Sequence, residues 1–261
     1  MSDVPQSPNA VRELAGLTAV VTGSSSGIGR AIALDLAAAG ANCLIHGCRN
    51  LAGAEAVAAE VAAIGASSTV RLADIGEAEE CRKFAESAWR WQGGVDIWVN
   101  NAGADVLTTP IAEQSYEEKL ELLLRVDVGG TFRLAREIGA RMKEGGRGVI
   151  VNIGWDQAET GMEGNAGQIF ATAKGAVMAF TRSLAKSLAP EVRVLCVAPG
   201  WIKTAWGDQA SDYWQRRAER ESLVGRWGTP EDVARVVRFV ASPASAYLNG
   251  QIIAVNGGLA K

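Results

Sequence analysis

The sequence predicts a single α/β domain, in which a doubly wound, mostly parallel sheet of seven strands carries helices on both faces. Short runs rich in β-branched residues alternate with longer runs of helix-favouring composition, which is typical of a parallel sheet. Several of the short runs are apolar throughout, as expected for strands that are covered on both faces. A chain of 261 residues that is 48% hydrophobic can also bury a large core around such a sheet.

The elements follow one another in regular order along the chain. Seven short apolar runs are the predicted strands: residues 18–22, 42–46, 68–72, 95–100, 148–153, 193–198 and 251–255. Six longer runs are the predicted helices: residues 28–39, 51–64, 77–91, 116–143, 168–188 and 230–241. Ligands of such sheets bind beyond the carboxyl ends of the strands, so the loops after the strands are the predicted functional rim.

Composition separates a short N-terminal segment from the rest of the chain. Residues 1–12 are predicted to be flexible and residues 13–261 to form the single domain, because no linker-like change in composition follows residue 12. The first ten residues are polar and lack the apolar stretch of a secretory signal, and no run of about 18 apolar residues predicts a membrane span. The net charge of −3 argues against nucleic acid or an anionic membrane as a partner.

The four cysteines lie at no spacing that is typical of metal ligands, so no metal site is expected. Cys43 and Cys196 lie in apolar runs and are predicted to be buried as small hydrophobic residues. Because no disulfide framework is indicated, we expect a reducing, cytoplasmic environment.

The first predicted strand leads into a glycine-rich turn that opens the first predicted helix: Thr22-Gly23-Ser24-Ser25-Ser26-Gly27-Ile28-Gly29. Gly23 permits the tight turn, Gly27 lets a pyrophosphate approach the backbone, and Gly29 allows the helix to pack closely. The first amides of the helix would then bind phosphate. The pattern predicts a dinucleotide site, and the alternative is a purely structural glycine turn. The residues predicted to bind the dinucleotide here are Gly23, Ser25, Ser26, Gly27, Ile28 and Gly29.

Four further motifs accompany this turn: Asn100-Asn101-Ala102-Gly103, Pro199-Gly200-Trp201-Ile202-Lys203-Thr204, Gly225-Arg226-Trp227-Gly228-Thr229-Pro230-Glu231-Asp232 and Asn256-Gly257-Gly258. With them, residues 14–258 resemble the short-chain dehydrogenase/reductases, and among these the 3-oxoacyl-carrier-protein reductases. The resemblance implies a Rossmann fold, a nicotinamide dinucleotide, and a homotetramer or homodimer formed through the helices at 116–143 and 168–188. It also implies further cofactor contacts: Asp74 and Ile75 at the adenine, Asn101, Ala102 and Gly103 on the ribose side, and Ile202 and Thr204, which follow Pro199 and Gly200, at the nicotinamide carboxamide.

The end of the second predicted strand bears on the choice of dinucleotide. An acidic residue there would accept hydrogen bonds from the adenosine ribose and favour NAD, but Gly47 stands at that position. Arg49 follows closely, and its guanidinium suits a 2′-phosphate, so NADP(H) is favoured over NAD(H). The alternative is that Arg49 is an ordinary surface arginine. His46, the only histidine, is expected to be a packed residue rather than a base.

The catalytic positions implied by the resemblance depart from the family pattern of Asn, Ser, Tyr and Lys. Lys174 matches the lysine that binds the nicotinamide ribose, Phe170 replaces the tyrosine, and Asp127 stands at the asparagine position. Trp155 follows the fifth strand where the serine is expected. Counting back from Phe170 by the usual interval reaches Gln157 instead, because the intervening loop is longer than in the family.

A phenyl ring cannot exchange a proton with a substrate carbonyl, and a positioned general acid contributes roughly 10²–10⁴-fold to a rate. The candidate replacements are polar residues of the loop after the fifth strand: Asp156, Gln157, Glu159 and Glu163. Asp127 is expected either to pair with Lys174, directly or through water, or to cap backbone groups in a kinked helix. The predicted catalytic residues are Lys174, Asp127, Gln157 and Asp156.

Tryptophans are concentrated on the predicted substrate side, where they can form an apolar wall: Trp155, Trp201, Trp206 and Trp214. They favour a hydrophobic or aromatic small-molecule substrate. The run 213–220, in which basic residues are interleaved with acids, is predicted to be a solvated helix face, with Tyr213 packed beside Trp214. Two functions stay open: an oxidoreductase with a rearranged active site that acts on a hydrophobic carbonyl or hydroxyl compound, and a non-catalytic dinucleotide-binding sensor or scaffold.

Overall fold

The computed structural model describes residues 12–108 and 110–259, so residues 1–11 of the predicted N-terminal segment lie outside the described residues. Seven strands form one sheet: β1 (Thr18–Val21), β2 (Asn42–Gly47), β3 (Ser68–Leu72), β4 (Ile97–Asn100), β5 (Gly148–Ile153), β6 (Val192–Pro199) and β7 (Ile252–Val255). Their order across the sheet is β3-β2-β1-β4-β5-β6-β7, and all six neighbouring pairs are parallel. The predicted sheet is confirmed, and it is entirely rather than mostly parallel.

Ten α-helices accompany the sheet in the described residues: α1 (Gly27–Ala38), α2 (Leu51–Ala63), α3 (Ala78–Trp91), α4 (Tyr116–Leu123), α5 (Thr131–Glu144), α6 (Gln157–Thr160), α7 (Gly164–Leu188), α8 (Ala205–Gln209), α9 (Asp212–Glu221) and α10 (Pro230–Ala241). The predicted helix over 116–143 is present as one unbroken helical run, but a π-helical segment at Leu124–Gly130 interrupts its regular geometry between α4 and α5. The pair Gly129-Gly130 weakens regular helix there. The short helices α6 and α8 were not predicted, whereas α9 covers the run 213–220 that was predicted to be a helix face.

Most of the core lies in two apolar layers, one on each face of the sheet, and a third, smaller cluster is centred on Leu123 and Ile169. Neighbouring strand residues alternate between the two layers, so that Val21 packs in one layer with α1, α2 and α10, and Val20 packs in the other with α3, α5 and α7. Both residues are fully buried, as are Cys43 and Cys196. The continuously apolar strands therefore reflect burial on both faces, as the sequence predicts.

The final large helix is fixed at its start by local sequence signals. Thr229 accepts a hydrogen bond from the backbone N–H of Asp232, and the Asp232 side chain accepts one from the backbone N–H of Thr229. Pro230 occupies the first turn, where it costs no hydrogen bond. A search of the described helices finds none that is long and apolar enough to cross a membrane.

Candidate active site

The glycine-rich turn joins β1 to α1 at the carboxyl edge of the sheet. Gly23 and Gly27 have positive φ angles of 64° and 54°, a conformation that favours glycine. A Cβ on Gly23 would lie 2.7 Å from the Cα of Ala102, and one on Gly29 would lie 2.2 Å from the carbonyl oxygen of Gly23. Both glycines are therefore required by close backbone approach, as the dinucleotide pattern predicts.

The same turn leaves room for a phosphate group. A Cβ built on Gly27 would meet no atom within 4 Å, so the turn opens to a free volume at this point. Ser26, at the N-cap of α1, makes no side-chain capping bond. The amides of the first turn of α1, around Ile28, thus remain as donors at the positive end of a helix dipole. The turn fits the pyrophosphate of a dinucleotide.

His46 holds this turn in place, a role that the sequence did not reveal. Its imidazole is almost fully buried, its Nδ1 accepts a hydrogen bond from the Gly23 amide at 3.0 Å, and its Nε2 lies 3.1 Å from the Ala73 carbonyl oxygen. These partners require a neutral ring that is protonated on Nε2. Burial lowers the pKa of His46 to about 4, which keeps the ring neutral. His46 is indeed packed, against Phe84 at 4.7 Å, but it also links the turn to the end of β3.

The loop after β4 braces the turn from its other side. The Asn101 side-chain amide donates to the carbonyl oxygens of Thr22 and Gly23 at 3.0 and 3.2 Å. The backbone amides of Asn101 and Ala102 both donate to the Thr22 hydroxyl at 3.0 Å. The structure thus brings the predicted ribose-side residues next to the glycine-rich turn.

The predicted adenine end lies where β2 and β3 terminate side by side, since Gly47 pairs with Leu72. Arg49 is exposed just beyond the end of β2. Asp74 accepts a hydrogen bond from the Gly76 amide at 2.9 Å, and Ile75 is buried. These residues are brought to the same edge as the glycine-rich turn.

The π-helical segment carries Asp127 into the centre of the site. Its Oδ2 lies 2.9 Å from the Nζ of Lys174, and its Oδ1 accepts a hydrogen bond from the Ala104 amide at 2.8 Å. The Lys174 ammonium also lies 3.4 Å from the carbonyl oxygen of Ile153, at the end of β5. The expected pairing with the lysine is therefore direct, whereas the other carboxylate oxygen caps the loop after β4 rather than backbone groups of its own helix. A Cβ on Gly103 would lie 2.7 Å from Oδ2, so a larger residue there would displace the carboxylate.

Two aromatic rings lie beside this ion pair. Phe170 precedes Lys174 by one helical turn on the same face of α7. Trp155, two residues after Ile153, contacts Phe170 edge to face with ring centroids 6.3 Å apart. Both side chains are half-buried. The structure therefore brings together the residues that stand at the serine and tyrosine positions of the resemblance.

The remaining polar residues of this loop are engaged with neighbouring elements. Asp156 is buried, and its two carboxylate oxygens accept hydrogen bonds from the Gln157 amide at 2.8 Å and from the Asn256 side chain at 3.0 Å. Burial raises the pKa of Asp156, against the opposing effect of these hydrogen bonds. Gln157 is also buried, at the start of α6. Glu159 pairs at the surface with Arg182 at 2.7 Å.

The loop after β6 and the helices α8 and α9 form a cap, which reaches the start of α7 through the pair of Arg217 with Glu163. Pro199, the last residue of β6, pairs with Val255 of β7, and the next amide, that of Gly200, donates to the Val255 carbonyl oxygen. Ile202 is buried and pairs with Gly228. Thr204 is the N-cap of α8. The loop predicted to meet the nicotinamide is thus anchored at both of its ends.

Four tryptophans form one cluster in this cap: Trp201, Trp206, Trp214 and Trp227, whose ring centroids lie 5.6–6.2 Å from their neighbours. Trp227 was not predicted to belong to it, and Trp155 lies instead against Phe170. Tyr213 packs against Trp214 at 5.1 Å, as expected.

The prediction of a solvated helix face over 213–220 is wrong at Arg217. This side chain is 9% exposed, and its guanidinium lies 5.9 and 5.2 Å from the rings of Trp201 and Trp214. It donates to Glu221 at 2.7 Å and forms a paired contact with Glu163, at the N-cap of α7. The interleaved charges of α9 look solvated in the sequence because Trp201 and Glu163, which complete the enclosure of Arg217, come from other segments. Arg217 thereby ties the cap to the helix that carries Phe170 and Lys174.

Known proteins share this architecture and much of this sequence. A family model described as enoyl-(acyl carrier protein) reductase matches residues 23–260. The 3-oxoacyl-[acyl-carrier-protein] reductase FabG of Aquifex aeolicus is 38% identical over 252 residues, which cover 95% of this chain and 98% of that protein. The chloroplastic NADPH-dependent aldehyde reductase 2 of Arabidopsis thaliana is 37% identical over 259 residues, which cover 94% of each chain.

A solved structure adds a cofactor to the comparison. A short chain dehydrogenase from Burkholderia cenocepacia, crystallised in complex with NADP, has a TM-score of 0.85 and 29% identity, covering 94% of this chain and 98% of that one. The family match spans nearly the whole chain and includes the glycine-rich turn and the loops that surround the site. The protein belongs to the short-chain dehydrogenase/reductase family.

Proposed function

We propose that this protein is an NADP(H)-dependent oxidoreductase with a rearranged active site, acting on a hydrophobic or aromatic small molecule. The observation that carries the proposal is the Lys174–Asp127 ion pair, at 2.9 Å, beside an intact dinucleotide turn. Removing two charges from water costs free energy, and apolar residues at these two positions would pack the helices together at least as stably. The pair is therefore best explained by a ligand that uses the lysine.

The preference for NADP(H) is supported by the end of β2. Because Gly47 stands there, no carboxylate is present to accept hydrogen bonds from the adenosine ribose or to repel a 2′-phosphate. Arg49 lies exposed a short way beyond, where a guanidinium can bind a 2′-phosphate through two hydrogen bonds. Two proteins similar to this one are named for NADPH or hold NADP.

When bound, the nicotinamide would supply a hydride, and the chain's own residues would position and enclose the reactants. Lys174 would hold the nicotinamide ribose, while Asp127 fixes the lysine and compensates its charge. Asp156, whose pKa is raised by burial, is the candidate proton donor, and the neighbouring Gln157 amide is a candidate to orient a substrate oxygen. The tryptophan cap would exclude water from the site.

The contact between Trp155 and Phe170 favours a second candidate, a non-catalytic dinucleotide sensor or scaffold, because rings replace both hydroxyls of the family. Calorimetric titration with NADPH and a turnover screen on hydrophobic carbonyl compounds separate the two. We expect Lys174→Met to abolish turnover. Lys186 is an exposed lysine of the same helix, and Lys186→Met should keep turnover. Tight binding without turnover of any compound would favour the sensor.

Assembly and location belong to the same proposal. We expect a homotetramer or homodimer formed through α5 and α7, working in a reducing cytoplasm, where its four free cysteines would stay unpaired. Light scattering on the full chain tests the assembly. A monomer at micromolar concentration would contradict it.

A further inference from the structure

Three positions of the site differ from the family pattern. All three differences make the site less suited to a negative charge and more suited to a positive one. Trp155 and Phe170 place aromatic rings where the resemblance implies hydroxyl groups, and Asp127 places a carboxylate where it implies a neutral amide. Phe170 has no polar atom, and the Trp155 indole offers a single weakly acidic N–H. A negative charge developing on a substrate oxygen would therefore find little stabilisation between these two rings.

A positive charge would find a suitable environment at the same place. The faces of aromatic rings carry negative potential and attract cations, with tryptophan the strongest of them. The rings of Trp155 and Phe170 are half-buried and 6.3 Å apart, edge to face, so a cation beside them would be partly desolvated, which strengthens the attraction.

The carboxylate of Asp127 removes the main obstacle to such a ligand. An unpaired Lys174 ammonium, only one helical turn from Phe170, would repel a cation in the site. Here its charge is compensated at 2.9 Å by Asp127, which is 2% exposed and is held by the Ala104 amide. A neutral asparagine at this position would hold the lysine without cancelling its charge.

We propose that this site takes an organic cation of the iminium class, a planar C=N⁺ group on a hydrophobic or aromatic frame. The inference rests on the proposed oxidoreductase function and names its substrate. A reduced nicotinamide supplies one hydrogen with two electrons, which form a C–H bond at the iminium carbon. The π pair of the C=N bond becomes the nitrogen lone pair, the substrate becomes a neutral amine, and the nicotinamide is oxidised. No proton is transferred, so this reaction needs neither the tyrosine and the serine nor the donor role proposed for Asp156, which applies to a carbonyl substrate only.

Binding is the first test, and it needs no cofactor. The probe is N-methyl-dihydroisoquinolinium, a permanent cation, and tetralone is the uncharged ketone of matched shape. Calorimetry with the full chain should show the cation bound at least about tenfold more tightly than the ketone. Phe170→Leu and Trp155→Leu should each lower the affinity for the cation by about 2- to 30-fold, with little effect on the affinity for the ketone. Phe132→Leu, in an aromatic pair on α5 and α7, is the matched control, and circular dichroism checks that each variant folds.

The Asp127→Asn variant tests the charge argument separately. It keeps the size of the side chain and can still accept from the Ala104 amide, but it leaves the Lys174 charge uncompensated. We expect the cation to bind at least about tenfold more weakly to this variant and the ketone to bind as before. Equal affinity of the wild-type protein for cation and ketone would overturn the inference.

Turnover with NADPH, corrected for the reaction without protein, separates this inference from the proposed function. Oxidation of NADPH with the iminium and not with the ketone is the expected result. Reduction of the ketone alone would overturn the iminium assignment and leave the oxidoreductase standing. Binding of NADPH without turnover of either probe would overturn the iminium assignment and favour the sensor. Failure to bind NADPH would overturn both.

Discussion

The Nζ of Lys174 lies 2.9 Å from the Oδ2 of Asp127, and the two side chains are only 14% and 2% exposed. This contact joins α7 to the π-helical segment at Leu124–Gly130, and through the Ala104 amide it reaches the loop after β4. Three separate stretches of chain thus meet at one pair of charges. The position of the lysine, and of whatever it binds, depends on this carboxylate.

Removing the carboxylate should therefore cost stability. We expect Asp127→Ala to lower the free energy of unfolding by about 3–5 kcal/mol, because it leaves the Lys174 ammonium, which is only 14% exposed, without its carboxylate partner. Asp127→Asn should cost less, since its amide oxygen can still accept from Ala104. Urea denaturation measures both values. Glu79→Gln, which breaks an exposed pair with Arg82, is the control and should change stability little. Equal, small effects of all three variants would contradict this role for Asp127.

His46 should make the free energy of unfolding depend on pH, and its contribution can be separated from those of the other titrating groups. The unfolded chain has a histidine with an ordinary pKa of 6.5, and the folded protein lowers it to about 4. Between these values the unfolded state binds more protons, so stability is fully present above pH 6.5 and is lost as the pH falls toward 4. The loss should amount to about 3 kcal/mol. Urea denaturation across this range measures it.

A variant at the same position provides the control for that pH profile. His46 is the only histidine, so the difference between wild type and His46→Gln cancels the contributions of the carboxylates. We expect the wild-type free energy of unfolding to fall more steeply between pH 6.5 and 4 than that of the variant. Parallel profiles would show that the imidazole does not stay neutral in the folded protein. His46→Gln should also weaken NADPH binding at pH 7, because the Gly23 amide loses its partner.

The glycine-rich turn and Lys174 were predictable because their signals are local. A strand, three spaced glycines and a helix lie within one short stretch, and the lysine lies on a regular helical face. The π-helical segment that positions Asp127 was less accessible, because residues 116–143 have the composition of one continuous helix, in which Gly129-Gly130 is only a weak local signal.

The burial of Arg217 was hidden for a related reason. Its own helix carries alternating charges, and the approach of Trp201 and of Glu163, both distant in sequence, completes an enclosure to which Trp214 and Glu221 also contribute. The same holds for His46, whose partners Gly23 and Ala73 belong to the ends of two other strands. Local patterns locate motifs, whereas the partners of a buried polar group depend on the fold.

Arg217 should determine how firmly the cap is attached. Arg217→Met should lower the free energy of unfolding by about 2–3 kcal/mol, because it removes the ion-pair partner of Glu163 and Glu221 and the cation beside two tryptophans. It should also speed proteolytic cleavage within α8 and α9. Arg216→Met, the exposed neighbour, is the control and should behave like the wild type. Unchanged proteolysis in Arg217→Met would show that the tryptophans alone hold the cap.

Restoring one hydroxyl should not restore ordinary carbonyl reduction. We expect Phe170→Tyr to change ketone turnover by less than about tenfold, because Trp155 still occupies the position next to the new phenol. The double variant Trp155→Ser/Phe170→Tyr supplies both hydroxyls and should raise ketone turnover by at least about 10²-fold. Steady-state kinetics with NADPH measure the two. Strong activity in Phe170→Tyr alone would show that Trp155 does not block the site.

The measurement to make first is a calorimetric titration of the full chain with NADPH and, in parallel, with NADH. We expect NADPH to bind with micromolar or tighter affinity, and about tenfold more tightly than NADH, because Arg49 can pair with the 2′-phosphate. Arg49→Ala should remove that difference, whereas Arg147→Ala, which pairs with Asp96 beside the start of β5, should not. Binding of neither dinucleotide would contradict the assignment of the glycine-rich turn and the rim around it as a cofactor site.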